Sequence, residues 1–100
     1  MITLDTQRGR RVVHQATRKH EFSVYQTGDP HLYEVYINKP WGIPDIKIGE
    51  VRRLRGSHKF YPLPQGHNAV ALERQKSLYD AGWTLCRHYE EREGRTFACG

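Results

Sequence analysis

Along the chain, short runs of apolar residues alternate with breaks rich in glycine and proline, the pattern of brief strands joined by turns. Val12 and Val13 extend a strand behind Arg8-Gly9-Arg10-Arg11, which reads as a turn or a basic arm. Glu21 to Thr27 is a second strand, Gly28-Asp29-Pro30 a turn, and His31 to Asn38 its return, with Leu32, Tyr33, Val35, Tyr36 and Ile37 supplying the apolar positions of a hairpin. Lys39 to Pro44 interrupts the pattern, because each proline removes a backbone donor and constrains the residue before it. Trp41 lies in that loop. Asp45 to Val51 resumes as a strand, with Gly49 allowing a bulge. His58 to Tyr61 is another short strand, expected to stop at Pro62 and Pro64.

The spacing of Ala71, Leu72, Gln75, Leu78 and Tyr79 predicts a helix over Ala69 to Ala81, capped by Asn68 and ended by Gly82. Trp83 to Tyr89 and Thr96 to Cys99 then read as two further strands around the acidic turn Glu90-Glu91-Arg92-Glu93-Gly94. The fold class expected is α+β, a small antiparallel β-sheet packed against one principal α-helix. One hundred residues suit a single compact domain over 1–100, with residues 1–20 including a mobile basic arm. Only 21 residues are Leu, Ile, Val or Phe, so the six Tyr and two Trp must supply part of the core.

Composition narrows the setting. No apolar run approaches the roughly 20 residues of a membrane-crossing helix, and the segment after Met1 lacks the apolar stretch of a secretory signal. A cytoplasmic protein without membrane contact is therefore expected, with Cys86 and Cys99 as thiols rather than a disulfide.

A net charge of +5 favours anionic partners. It is concentrated: residues 47–76 hold seven Lys or Arg against Glu50 and Glu73, a local excess equal to that of the whole chain. Arg52, Arg53, Arg55 and Lys59 are the preferred phosphate contacts, since guanidinium forks match phosphate oxygens and lysine adds mobile positive charge. Arg10, Arg11, Lys47, Arg74 and Lys76 are secondary candidates, and Trp41 is a candidate stacking platform for an unpaired base. The functional expectation is a non-enzymatic, regulatory nucleic-acid-binding accessory protein, for DNA or RNA alike. Its alternative is a protein-binding regulator or inhibitor that presents the same arginines, with Trp41, Tyr61 and Tyr79, to an acidic protein surface, and self-association suits either reading.

Other chemistry is weaker. Cys86, His88 and Cys99 form the best metal-like set, with Cys86 and His88 on one side of the expected strand, but a fourth ligand is missing. Glu50 or Glu73 with His58 or His67, and Cys86 with His88, lack the spacing that would define a nucleophile and its base. There is no phosphate-cradling glycine loop, serine-hydrolase elbow or metalloprotease zinc motif. Neither catalysis, a metal nor a cofactor is expected.

Overall fold

The computed structural model describes residues 9–17, 19–42, 45–56, 58–66 and 70–99, with side chains as far as Arg92. Five strands, β1 (Arg10–Ala16), β2 (Glu21–Gln26), β3 (Leu32–Asn38), β4 (Ile46–Arg53) and β5 (Phe60–Pro64), precede one helix, α1 (Leu78–Cys99). The strands pair in chain order, each antiparallel to the last, and α1 lies across one face. The expected fold class is therefore observed.

The hairpin of β2 and β3 follows the sequence pattern. Val24 sits opposite Val35 and Phe22 opposite Ile37, so alternate residues of both strands meet on the helix side. The turn between them is tied by the Asp29 carboxylate, which accepts from the His31 amide at 2.8 Å. The strand expected at Val12 and Val13 is present and longer, Arg10–Ala16: Arg10 and Arg11, read from sequence as a turn or basic arm, open this paired edge strand, with an irregularity at Val12. Residues 1–8, which complete the expected arm, lie outside the described residues.

The larger correction concerns the helix. It begins at Leu78 and passes straight through Gly82, taking in both segments read as C-terminal strands. Asn68 and Ala69 lie outside the described residues, and Ala71 to Arg74 have no helical structure. The cap is Ser77, whose hydroxyl oxygen accepts from the Asp80 amide at 3.0 Å. From there Leu78, Ala81, Gly82, Leu85, Cys86 and Tyr89 recur at the spacing of one helical stripe and meet the sheet. Gly82 is a crossing point rather than a stop: a Cβ there would lie 2.8 Å from Phe22 Cε2 and 2.9 Å from Val24 Cγ2. Phe22, Val24, Val35, Ile37, Val51 and Leu85 form the dry centre.

β5 also runs on past its expected end, through Pro62 and Pro64. Phe60 exchanges two backbone hydrogen bonds with Gln75, and the Pro62 carbonyl accepts from Leu72 at 2.8 Å, so these alternate residues point their backbone polar groups away from β4. A missing N–H at Pro62 and Pro64 therefore removes nothing from the β4–β5 ladder. The chain between residues 71 and 75 lies along this outer edge in place of the predicted helix.

Candidate nucleic-acid interface

Antiparallel order decides which loops share an end of the sheet. Arg10 pairs with Gln26 at the last residue of β2, the Arg53 amide donates to the His31 carbonyl in the β2–β3 turn, and Phe60 pairs with both Arg53 and Gln75. One rim therefore carries Arg10 and Arg11 on β1, Arg52 and Arg53 at the end of β4, Arg55 in the following turn, Lys59 before β5, and Arg74 and Lys76 before α1. With strands about 4.8 Å apart, this row crosses roughly 20–25 Å. Asp29, Glu73 and Asp80 oppose it at the same end.

The arginines of β4 are aimed by strand alternation. Arg52 stands on the face opposite α1, between Leu32 and Tyr61 of the neighbouring strands, with its largely exposed guanidinium 4.0 Å from the Glu50 carboxylate. Arg53 stands on the helix side with its guanidinium carbon 5.9 Å from the Phe60 ring centre, a stacked cation that keeps its head at the edge of the core. Arg55 is exposed beside Gly56, whose φ of 77° forms the turn. Lys59, Glu73, Arg74, Gln75, Lys76 and Asp80 line an open cleft of about 530 Å³ against the start of α1.

Two predicted site residues fall elsewhere. Lys47 is near the opposite end of β4, where its ammonium donates to Glu34 and to Glu50, each at 3.1 Å. Burial disfavours its charge, but the two carboxylates more than compensate and hold its pKa above the ordinary 10.5. Trp41 is fully exposed, but it occupies the β3–β4 loop at the far end. The eight residues of β4 separate it from the arginine turn by roughly 25 Å.

At that far end the sequence reading missed a polar cluster. Glu90, only 8% exposed, accepts from the Thr17 hydroxyl and meets His20 Nδ1 at 2.9 Å, with Arg87 Nε at 3.8 Å. Burial alone would raise the Glu90 pKa, but the Thr17 hydroxyl, the His20 ring and Arg87 outweigh it and hold the carboxyl below the ordinary 4.5. Cys86 faces the same carboxylate at 4.0 Å. Its thiol is fully buried, and burial with the nearby Glu90 charge pushes its pKa up to about 12, which leaves it an inert thiol rather than a nucleophile. The cluster fastens the β1–β2 loop to α1. Sequence signal for it existed only in the helical spacing of Cys86, Arg87 and Glu90, hidden by reading that stretch as a strand and a turn.

The helix also rearranges the proposed metal set. Two residues apart on a helix point to nearly opposite sides, so buried Cys86 and half-exposed His88 do not converge, and the Cys99 side chain lies outside the described residues. No helix among the described residues is long and apolar enough to cross a membrane. Comparison of the chain with protein families, with curated proteins and with solved structures gives no match.

Proposed function

We propose that the protein is a non-enzymatic, cytoplasmic nucleic-acid-binding accessory protein that grips phosphates with its basic rim. Arg52, Arg55 and Lys59 form the centre, Arg53 flanks them, and Arg10, Arg11, Arg74 and Lys76 extend the row to both sides. The observation that supports this reading is the strand register: it gathers positions from 10 to 76 in sequence at one end of the sheet, while Lys47, already satisfied by carboxylates, is left out. Phosphates spaced along a backbone fit a row of forked donors better than they fit a single pocket.

The test titrates fluorescent RNA and DNA oligonucleotides, single-stranded and duplex, at several salt concentrations. Arg52→Gln with Arg55→Gln is expected to weaken binding at least tenfold and to lower the slope of log affinity against log salt by about one for each phosphate no longer neutralised. No saturable binding to any oligonucleotide would overturn the reading and leave capture of an acidic protein surface as the use of these arginines.

A further inference from the structure

Resting on that reading, we propose that the ligand is a single strand, its phosphates on the rim and its bases laid across the sheet face opposite α1, with Tyr61 as the first stacking platform and Tyr36 as the second. The pairing register fixes what this face displays. Its first row inside the rim is Leu32, Arg52 and Tyr61 on adjacent strands. The next is Tyr25, Glu34, Glu50 and Leu63, and the third is Ser23, Tyr36 and Lys47, with Tyr25 and Ser23 themselves buried beneath their neighbours. Tyr61, Leu63, Tyr36 and Leu32 are all partly accessible.

Charge selects the strand number. Behind the rim, Glu34 and Glu50 stand opposite each other, with the Lys47 ammonium 3.1 Å from each and the Arg52 guanidinium 4.0 Å from Glu50. A duplex seated on the rim carries a second backbone, and its phosphates would approach these carboxylates, where the Lys47 ammonium is already taken up by both. A single strand avoids the conflict, because it can keep its phosphates over Arg52 and Arg55 and turn its bases inward. There the carboxylates can accept from N–H groups on base edges, the N3–H of thymine or uracil included, instead of repelling the ligand.

Ring placement supplies the stacking surface. Tyr61 is the direct partner of Arg52, so a nucleotide whose phosphate meets Arg52 has an aromatic ring within one strand spacing of its base. Tyr36 is braced by the edge of buried Tyr25, with ring centres 5.6 Å apart and planes at 87°, which fixes its position before any ligand arrives. Tyr33, Phe60, Phe22 and Trp83 belong to the helix side and contribute to the core instead.

The experiment compares an oligothymidylate and an oligouridylate with a mixed-sequence DNA duplex of equal length, by fluorescence anisotropy at one physiological salt concentration, for the wild type and for Tyr61→Leu, Tyr61→Phe and the Arg52→Gln, Arg55→Gln pair. The single strands are expected to bind at least tenfold more tightly than the duplex. Tyr61→Leu should weaken single-strand binding about tenfold while keeping the wild-type salt slope, and Tyr61→Phe, which retains the ring, should restore affinity. A duplex bound as tightly as a single strand overturns the proposal, and this wild-type comparison decides even if Tyr61→Leu fails to fold. Full affinity in folded Tyr61→Leu, with binding weakened at least tenfold in the arginine pair, also overturns it but leaves phosphate gripping intact. Absence of binding to every oligonucleotide removes both.

Discussion

Replacing Gly82 with alanine sets two effects of opposite sign against each other. In an exposed helix the change would stabilise by roughly 1 kcal/mol, since glycine is the poorer helix former by about that amount. Here the added methyl would arrive 2.8 Å from Phe22 and 2.9 Å from Val24, both fully buried and both held in the sheet. Overpacking a dry core costs about 1–3 kcal/mol. Two approaches this close, against rings and branches with no route to solvent, put the cost near the upper end of that range. The expected net loss for Gly82→Ala is about 2 kcal/mol, which for a domain of this size lowers the melting temperature by roughly 10 °C. Urea titration followed by circular dichroism reads it directly, with an unchanged slope showing that the change lies in stability. Val24→Ala removes one of the two obstructing groups, so in that background Gly82→Ala should cost less, by about 0.5–1 kcal/mol. If Gly82→Ala proved as stable as the wild type or more so, the close crossing of α1 over β2 would be refuted.

Glu90 links stability to acid. Because its folded pKa is held below its ordinary value, it adds stability that is full above pH 4.5 and is lost as pH falls through that value toward the depressed one. The wild type should therefore lose stability more steeply than Glu90→Gln between pH 5 and 3, about 1 kcal/mol apart at neutrality and converging at the acid end, as measured by urea midpoints. Parallel curves would exclude a charged Glu90 at this position. The Cys86 thiol should resist alkylation in the native protein at pH 8 and react at the rate of a free thiol in denaturant, whereas fast native labelling would contradict its burial. Trp41→Phe should leave oligonucleotide affinity within about twofold, since roughly 25 Å of strand separates it from the rim; a tenfold loss would place the ligand across the far end.

How much of this is legible in the sequence depends on the range of the signal. The β2–β3 hairpin can be read because its alternation and its Gly-Asp-Pro turn are local. The helix is misplaced because apolar spacing from Ala71 onward mimics a helical stripe, while the true stripe from Leu78 to Tyr89 contains Gly82, normally a breaker. What licenses that glycine is a sheet residue, Phe22, sixty positions away. Likewise Pro62 and Pro64 end a strand only if their nitrogens face a partner strand, and the direction they face is set by the register with β4. The arginines are visible as a run, and their union with Arg10 and Arg74 is not, because strand order alone brings those positions to one rim. Lys47 looks like one more cation in that run until pairing places Glu34 beside it.

The covering of the outer side of β5 makes the molecule's two flanks unequal. A sheet that can be extended at both edges can grow without limit, each copy adding head to tail to the last. Here one flank is occupied by the chain's own backbone at Leu72 and Gln75, and beneath that cover two of the residues facing outward are prolines with no hydrogen to offer. Among the described residues, β1 is the terminal strand with no further segment paired along its outer side, which directs strand addition by a second copy there. Two copies meeting through β1 would use the same edge of each, an arrangement that closes on itself as a pair.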